Sequence, residues 1–243
     1  MTKFEIRNNE IPVLNLLTLV SHELRTPLTA ILGYADILQA DEVTNTSELK
    51  EYLGVIQRNA LSQCQVIDDL MDATSILLHH LDLDRKAVNI VPLALDVIET
   101  LRPESEKRNI AVAFRTTATA AVVMGDEARL SQIFHSLISN AIKFSHGSGM
   151  VHLSLEVRDR FIHVSVRDDG IGIAKSSLNR IFDLFVQADS SLTRKYGGLG
   201  LGLSITRYLV EAHGGNITAE SAGLGCGATF KFKIPLGAET IAP

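Results

Sequence analysis

The sequence has no tryptophan, two cysteines, and no apolar run near the roughly 18 residues that a membrane-crossing helix needs. Cys64 and Cys226 stand far apart, without the paired spacing of a zinc site or a disulfide scaffold, which fits a reduced, cytoplasmic setting. The opening residues MTKFEIRNNE lack a signal peptide's apolar core, so a cytoplasmic protein, or the cytoplasmic part of a longer one, is expected. An excess of positive charge is also missing: 23 Lys and Arg against 28 Asp and Glu leave a net charge of -5, and no basic field for a nucleic-acid backbone. No repeat of solenoid period and no low-complexity tract interrupts the chain.

What is present is material for a folded core. Hydrophobic residues make up 46% and charged residues 21% of the 243, a length that suits two domains. From Leu14, apolar or small residues recur at alternating steps of three and four through Leu17, Ser21, Leu24, Leu28, Ile31, Ala35 and Leu38, the seam of one long helix. A polar break at Asp41 to Ser47 precedes a second such run at Leu49, Leu53, Ile56, Ala60, Gln63, Ile67, Leu70, Thr74 and Leu77. The two runs predict a helical hairpin over residues 1–83. A lone hairpin with helices roughly 45 Å long leaves its apolar seam uncovered, so a homodimeric four-helix bundle is the economical arrangement.

The pattern then changes. Strand-like alternation appears at Val151-Leu153-Leu155-Val157, Ile162-Val164-Val166 and Phe230-Phe232-Ile234, while Leu130 to Phe144 and Leu203 to His213 have helical periodicity. The expected class is α+β, with a second domain over residues 84–236 and a tail over 237–243. Glycines cluster at 170 to 172, 197 to 202 and 214 to 227, marking turns or places where backbone approaches a ligand.

His22 follows Ser21 on the first seam, and a ~100° rotation per residue sets it beside the seam, open to solvent. A neutral imidazole is a competent nucleophile at neutral pH if its other nitrogen keeps the proton. Glu23 is the nearest group to fix that tautomer and accept the proton, and Pro27, which withholds an N–H from the carbonyl of Glu23, can bend the helix there. Thr26, four residues on, shares the face of His22, where its hydroxyl can hold a water near a phosphoryl group. Taken alone, these residues are equally a polar helix face with a tolerated proline. The run Ser21-His22-Glu23-Leu24-Arg25-Thr26-Pro27-Leu28, however, resembles the phosphoacceptor box of the sensor histidine kinases of two-component systems.

The second domain carries three further motifs. Asn140 and Lys143 lie three apart in the helical run Gln132 to Phe144; an amide oxygen suits Mg²⁺ and a lysine suits phosphate oxygens. This run resembles the N-box of the GHKL ATPase superfamily. Asp168 opens Asp168-Asp169-Gly170-Ile171-Gly172, a turn whose carboxylate can accept a hydrogen bond from an exocyclic amino group, and it resembles the adenine-binding box. Gly197-Gly198-Leu199-Gly200-Leu201-Gly202 leads into a helix, and backbone amides in such a loop cradle phosphates. It lacks the spacing of a P-loop. Preceded by Phe182-Asp183-Leu184-Phe185 and by Arg194 and Lys195, a basic pair suited to the γ-phosphate, it resembles the F-box, ATP lid and second glycine box of histidine kinases.

The motifs occur in the family's order over residues 14 to 236. The resemblance implies a Bergerat-type α/β sandwich that binds ATP and Mg²⁺, a homodimeric helical domain, autophosphorylation of His22, and transfer to an aspartate of a response-regulator receiver domain, with Thr26 a candidate for a phosphatase activity. Three positions depart from the pattern. Ser136 stands where the N-box has another Asn, and where several non-kinase GHKL ATPases carry a catalytic Glu; Asp169 replaces a common Asn or Thr, and Leu199 a common Thr or Ser. Two rival readings stay open on the sequence: a GHKL ATPase that hydrolyses ATP without labelling His22, and a dimeric scaffold with a degenerate nucleotide pocket.

Overall fold

The computed structural model describes residues 13–40, 45–78, 81–118, 121–186 and 199–237. The described residues form two compact units, one of residues up to Asp72 together with Leu199, the other of the rest from Ala73 onward.

The first unit is helical. Helix α1 runs Val13–Gln39 with Pro27 inside it, and α2 runs Thr46–Leu77. The start of α2 is set by Asn45, whose side-chain oxygen accepts from the backbone N–H of Ser47 at 2.6 Å and of Glu48 at 3.3 Å, satisfying donors that have no partner within the helix. Glu48, in the first turn, lies where the helix dipole favours negative charge. The rings of Tyr34 and Tyr52, with centroids 5.2 Å apart, join the two helices. Much of the apolar seam stays open: Leu17, Leu28, Leu49, Leu53 and Ile67 are all at least 40% exposed.

The second unit is built on a five-stranded sheet and a two-stranded ribbon. In chain order its elements are β1 (Lys86–Asn89), α3 (Ile90–Lys107), β2 (Ala111–Thr116), β3 (Val122–Gly125), α4 (Glu127–Phe144), β4 (Met150–Arg158), β5 (Phe161–Asp168), α5 (Gly202–Ala212), β6 (Asn216–Glu220) and β7 (Ala228–Pro235). The large sheet has the order β2-β4-β5-β7-β6, with β2 parallel to β4 and every other pair antiparallel; β1 and β3 pair antiparallel beside it. β7, the last strand among the described residues, is therefore interior to the sheet.

Alternation builds the core. Val151, Leu153 and Leu155 of β4, Ile162, Val164 and Val166 of β5, and Phe230, Phe232 and Ile234 of β7 are all buried. Helix α4 covers them with Leu130, Ile133, Phe134, Leu137, Ile138, Ala141 and Ile142, a stripe at helical spacing, and the Phe134 ring meets the Phe232 ring edge-on at 5.5 Å. Each large side chain buried in this way contributes about 1.5–3 kcal/mol of transfer free energy. Asp126 caps α4, its side chain accepting from the Arg129 N–H at 3.2 Å, and Asn89 caps α3 in the same manner through Val91. Helices α3 and α5 flank α4 on either side.

Candidate active site

Helix α4 is the element around which the nucleotide motifs gather. Ser136, Asn140 and Phe144 are spaced four apart and so form one stripe along it. At the upstream end of the stripe the Ser136 hydroxyl donates to the carbonyl of Gly202, the first residue of α5, at 3.4 Å. At the downstream end the Phe144 carbonyl accepts from the Ile171 N–H at 3.1 Å, which joins α4 to the turn after β5. Asn140, partly exposed, lies midway between these two contacts. Lys143 is adjacent to that turn, its ammonium 5.2 Å from the centroid of the Phe144 ring.

The turn itself is tightly specified. Asp168 is 5% exposed, and its Oδ1 accepts from the N–H of Gly170 at 2.9 Å and of Ala228 at 3.3 Å. Burial pushes this carboxyl above the ordinary aspartate range, and the two amides oppose that push by favouring the charged form. At Gly170 a Cβ would fall 2.1 Å from the Phe144 carbonyl oxygen, so only glycine lets the turn lie on the end of α4. Gly172 has φ +68° and its α-carbon faces the Gly223 carbonyl, where a Cβ would come within 2.1 Å. The opposite wall is the 221–227 turn: Gly227 donates to the Gly170 carbonyl at 3.0 Å, Gly225 to the Ile171 carbonyl at 2.7 Å, and the Ser221 hydroxyl accepts from the Ile173 N–H at 3.0 Å while donating to the Gly227 carbonyl at 2.7 Å.

Leu199, Gly200 and Leu201 lead into α5, which begins at Gly202. Leu201 at the N-cap makes no side-chain capping bond. The nearby hydroxyls turn the other way, Ser204 donating to the Leu201 carbonyl and Thr206 to the Gly202 carbonyl, both at 2.7 Å. Neither caps the first-turn amides, the groups that bind anions at a helix N-terminus. Arg194, Lys195 and Gly198, predicted to touch phosphate, lie outside the described residues. The Phe182 ring packs edge-on against Phe230 of β7, a core contact.

In the helical unit, His22 is 76% exposed on α1, as the seam predicts. Its Nδ1 lies 3.7 Å from Glu23 Oε1, within ion-pair reach but longer than a hydrogen bond. Helix α1 continues through Pro27. The Thr26 hydroxyl donates to the His22 carbonyl at 3.1 Å and the Thr29 hydroxyl to the Arg25 carbonyl at 2.9 Å, so two back-bonded threonines bracket the proline, an arrangement that bends helices. The Thr26 proton is thus directed to the backbone, and its oxygen lone pairs are what it can offer a water.

Sequence reasoning missed Ala228 and Ser221, which brace the Asp168 turn. The only signal for them was the glycine cluster at 214 to 227.

Two family models match the chain: the His kinase A (phospho-acceptor) domain over residues 13–77, and the histidine kinase-, DNA gyrase B- and HSP90-like ATPase over residues 125–238. The chain belongs to the sensor histidine kinases, with a phospho-acceptor helical domain and a GHKL-type ATPase domain. It is 35% identical over 228 residues to the sensor protein GacS of Pseudomonas syringae pv. syringae, a match covering 90% of this chain and 25% of GacS. Among solved structures it is similar to full-length ShkA in complex with AMPPNP, with 31% identity and a TM-score of 0.67 over 91% of this chain and 45% of that one. It is also similar to the histidine kinase ThkA in complex with the response regulator protein TrrA, with 28% identity and a TM-score of 0.61 over 90% of this chain and 60% of that one. The chain spans a quarter or less of the first curated relatives it matches.

Proposed function

We propose that this chain is the catalytic core of an ATP-dependent protein histidine kinase that phosphorylates itself on His22 and passes the phosphoryl group to an aspartate of a response-regulator receiver domain. The observation that carries the nucleotide half is the α4 stripe: Ser136 on the opening of α5, Phe144 on the Asp168 turn, and Asn140 between them. Adenine fits beside Asp168, whose carboxylate accepts from the exocyclic amino group; phosphates fit on the Gly200 to Gly202 amides and Lys143, with Arg194, Lys195, Gly198, Leu199 and Leu201 completing the loop. Gly170 and Gly172 hold the adenine turn against its neighbours.

Among the described residues no group of three His, Cys, Asp or Glu could hold a metal. That donor set suits an ion carried in by the nucleotide, because Mg²⁺ keeps its waters and takes one or two protein ligands beside substrate phosphates. Asn140 supplies the protein ligand through its amide oxygen. When bound, Mg²⁺ neutralises charge on the phosphate oxygens.

At His22 the nitrogen nearer Glu23 is Nδ1. The tautomer with the proton on Nδ1 leaves the Nε2 lone pair free to attack the γ-phosphorus in line, forming the N–P bond as the bond to the ADP oxygen breaks. The Nδ1 proton then passes to Glu23. Ser136 donates its hydroxyl to a carbonyl and holds no base for activating water, which favours transfer to histidine over hydrolysis. Thr26 is the residue proposed to hold water for dephosphorylation of the regulator. The exposed leucines of the seam favour a homodimeric four-helix bundle, and the ThkA–TrrA complex supports a receiver domain as partner. No helix among the described residues is long and apolar enough to cross a membrane; a cytoplasmic site of action is part of the proposal.

Incubation with γ-labelled ATP tests the reading. An acid-labile, alkali-stable label on the protein that disappears in His22→Gln supports it. A label retained in that variant overturns it.

A further inference from the structure

His213, the residue after α5, is 3% exposed, and both of its ring nitrogens are engaged. Nδ1 lies 2.7 Å from the Leu209 carbonyl, one turn back on α5, and Nε2 accepts from the backbone N–H of Asp126 at 3.1 Å. Only the neutral ring with its proton on Nδ1 satisfies both contacts. The ring approaches Gly125 closely: a Cβ there would come 2.7 Å from Cδ2 and 2.9 Å from Nε2. Asp126 is the cap of α4, so this imidazole links the last turn of α5 to the first turn of α4. The chain arriving from α2 joins the same knot: the Asp84 N–H donates to Asp126 Oδ2 at 3.2 Å and the Arg85 guanidinium to the Ala212 carbonyl at 2.6 Å.

The two helices run antiparallel. They are joined at one end of α5 through His213 and Asp126, and at its other end through Gly202 and Ser136, midway along α4. Asn140, about 20 Å along α4 from its cap, and the amides opening α5 lie toward the second end. Rigid helices carry a displacement at the first end to the second.

We propose that His213 is a positioning residue: by tying the end of α5 to the cap of α4 it holds Asn140 in register with the phosphate-cradling amides of α5. This role rests on the nucleotide reading given above. Protonation removes the acceptor on Nε2 and sets one N–H against another. The charged groups facing the ring are Arg85, from the segment before β1, and Asp126, from the cap of α4; burial and Arg85 hold the imidazole below the ordinary histidine value, opposed by the Leu209 carbonyl and Asp126. The tie therefore stands at neutral pH and is released in acid.

The adenine turn is anchored on β5 and β7, away from the knot, so adenosine and Mg-ATP report different things. Both affinities are measured by calorimetry on the full chain for wild type, His213→Leu, His213→Gln and Gly125→Ala. The Leu and Ala variants should bind Mg-ATP about tenfold more weakly, the effect of leaving a buried donor unmet, with adenosine affinity unchanged. Gln, which keeps an acceptor near the Nε2 position, should restore Mg-ATP binding. Wild type should lose more Mg-ATP affinity in acid than His213→Gln, a comparison in which the ligand's own titration cancels. An unchanged ratio of the two affinities in His213→Leu, or a Gln variant no better than Leu, overturns the role while leaving the nucleotide reading intact. Should Leu fail to fold, equal acid sensitivity of wild type and Gln overturns it. A wild-type chain that binds Mg-ATP no more tightly than adenosine overturns both.

Discussion

Replacing Asp168 with Asn separates the two tasks of this side chain. An Asn oxygen in the place of Oδ1 can still accept from Gly170 and Ala228, at 2.9 and 3.3 Å in the native turn, so the turn itself should persist. The atom turned toward the nucleotide becomes an NH₂ donor, which faces the amino group of adenine with another donor. Losing a hydrogen bond to a charged acceptor costs about 1.5–3 kcal/mol, so ATP affinity should fall about 10- to 100-fold. A purine with an oxygen in place of that amino group presents an acceptor, and inosine triphosphate should lose less or gain. Stability should move the opposite way. Because burial raises the folded-state pKa of Asp168, the native state holds its proton to higher pH than the unfolded chain, and stability falls as pH rises from the unfolded value of 3.8 through the folded one. At neutral pH the charge is a cost that Asn removes, so the thermal midpoint of the nucleotide-free variant should be equal to or above that of wild type. Calorimetric titration with both nucleotides and a thermal scan without them check the set. ATP binding at wild-type strength, with discrimination against the inosine nucleotide intact, would refute the assignment of Asp168 to the adenine edge.

Leu53→Glu, on the open seam of α2, should convert a dimer to a monomer in sedimentation, since each copy loses about 1.5–3 kcal/mol of burial and places a charge in the interface. Gly170→Ala should lower the thermal midpoint and abolish nucleotide binding, because the added methyl meets the Phe144 carbonyl at 2.1 Å and backbone cannot move aside as a side chain would. Thr26→Ala should leave helix content and His22 labelling in place, as it removes one exposed bond to the His22 carbonyl, and should slow dephosphorylation of the regulator; an unchanged dephosphorylation rate rules out that role.

The parts of the fold legible in sequence are those with one buried face. Strands β4, β5 and β7 alternate cleanly and α4 shows its stripe, so each was visible from local spacing. Strand β2 was not: none of its residues is fully buried and their exposure does not alternate, and its parallel pairing with β4 depends on α4 lying between them in the chain. Strands β1 and β3 have four residues each, too few for a period, and α3 carries Pro103 in its interior. At the site, Asp168, Gly170 and Gly172 announced themselves within five residues. The groups that brace them, Ala228 and Ser221, arrive from 60 and 48 positions away across β7 and its preceding turn, and no local pattern encodes such a meeting. His213 was read only as a helix end, because its partner, the Asp126 amide, is 87 positions distant.

The placement of β7 has a bearing on synthesis. It follows every other strand of the described residues in the chain, yet it inserts between β5 and β6, and its first residue supplies the amide that seats Asp168. A nascent chain that has emerged only as far as α5 holds His22 and nearly every residue proposed to contact the nucleotide, but its Asp168 turn lacks a wall. On the proposed nucleotide reading, competence to bind ATP is thereby deferred until the 221–227 turn and β7 have been made, and a chain cut short before them is silent rather than unregulated.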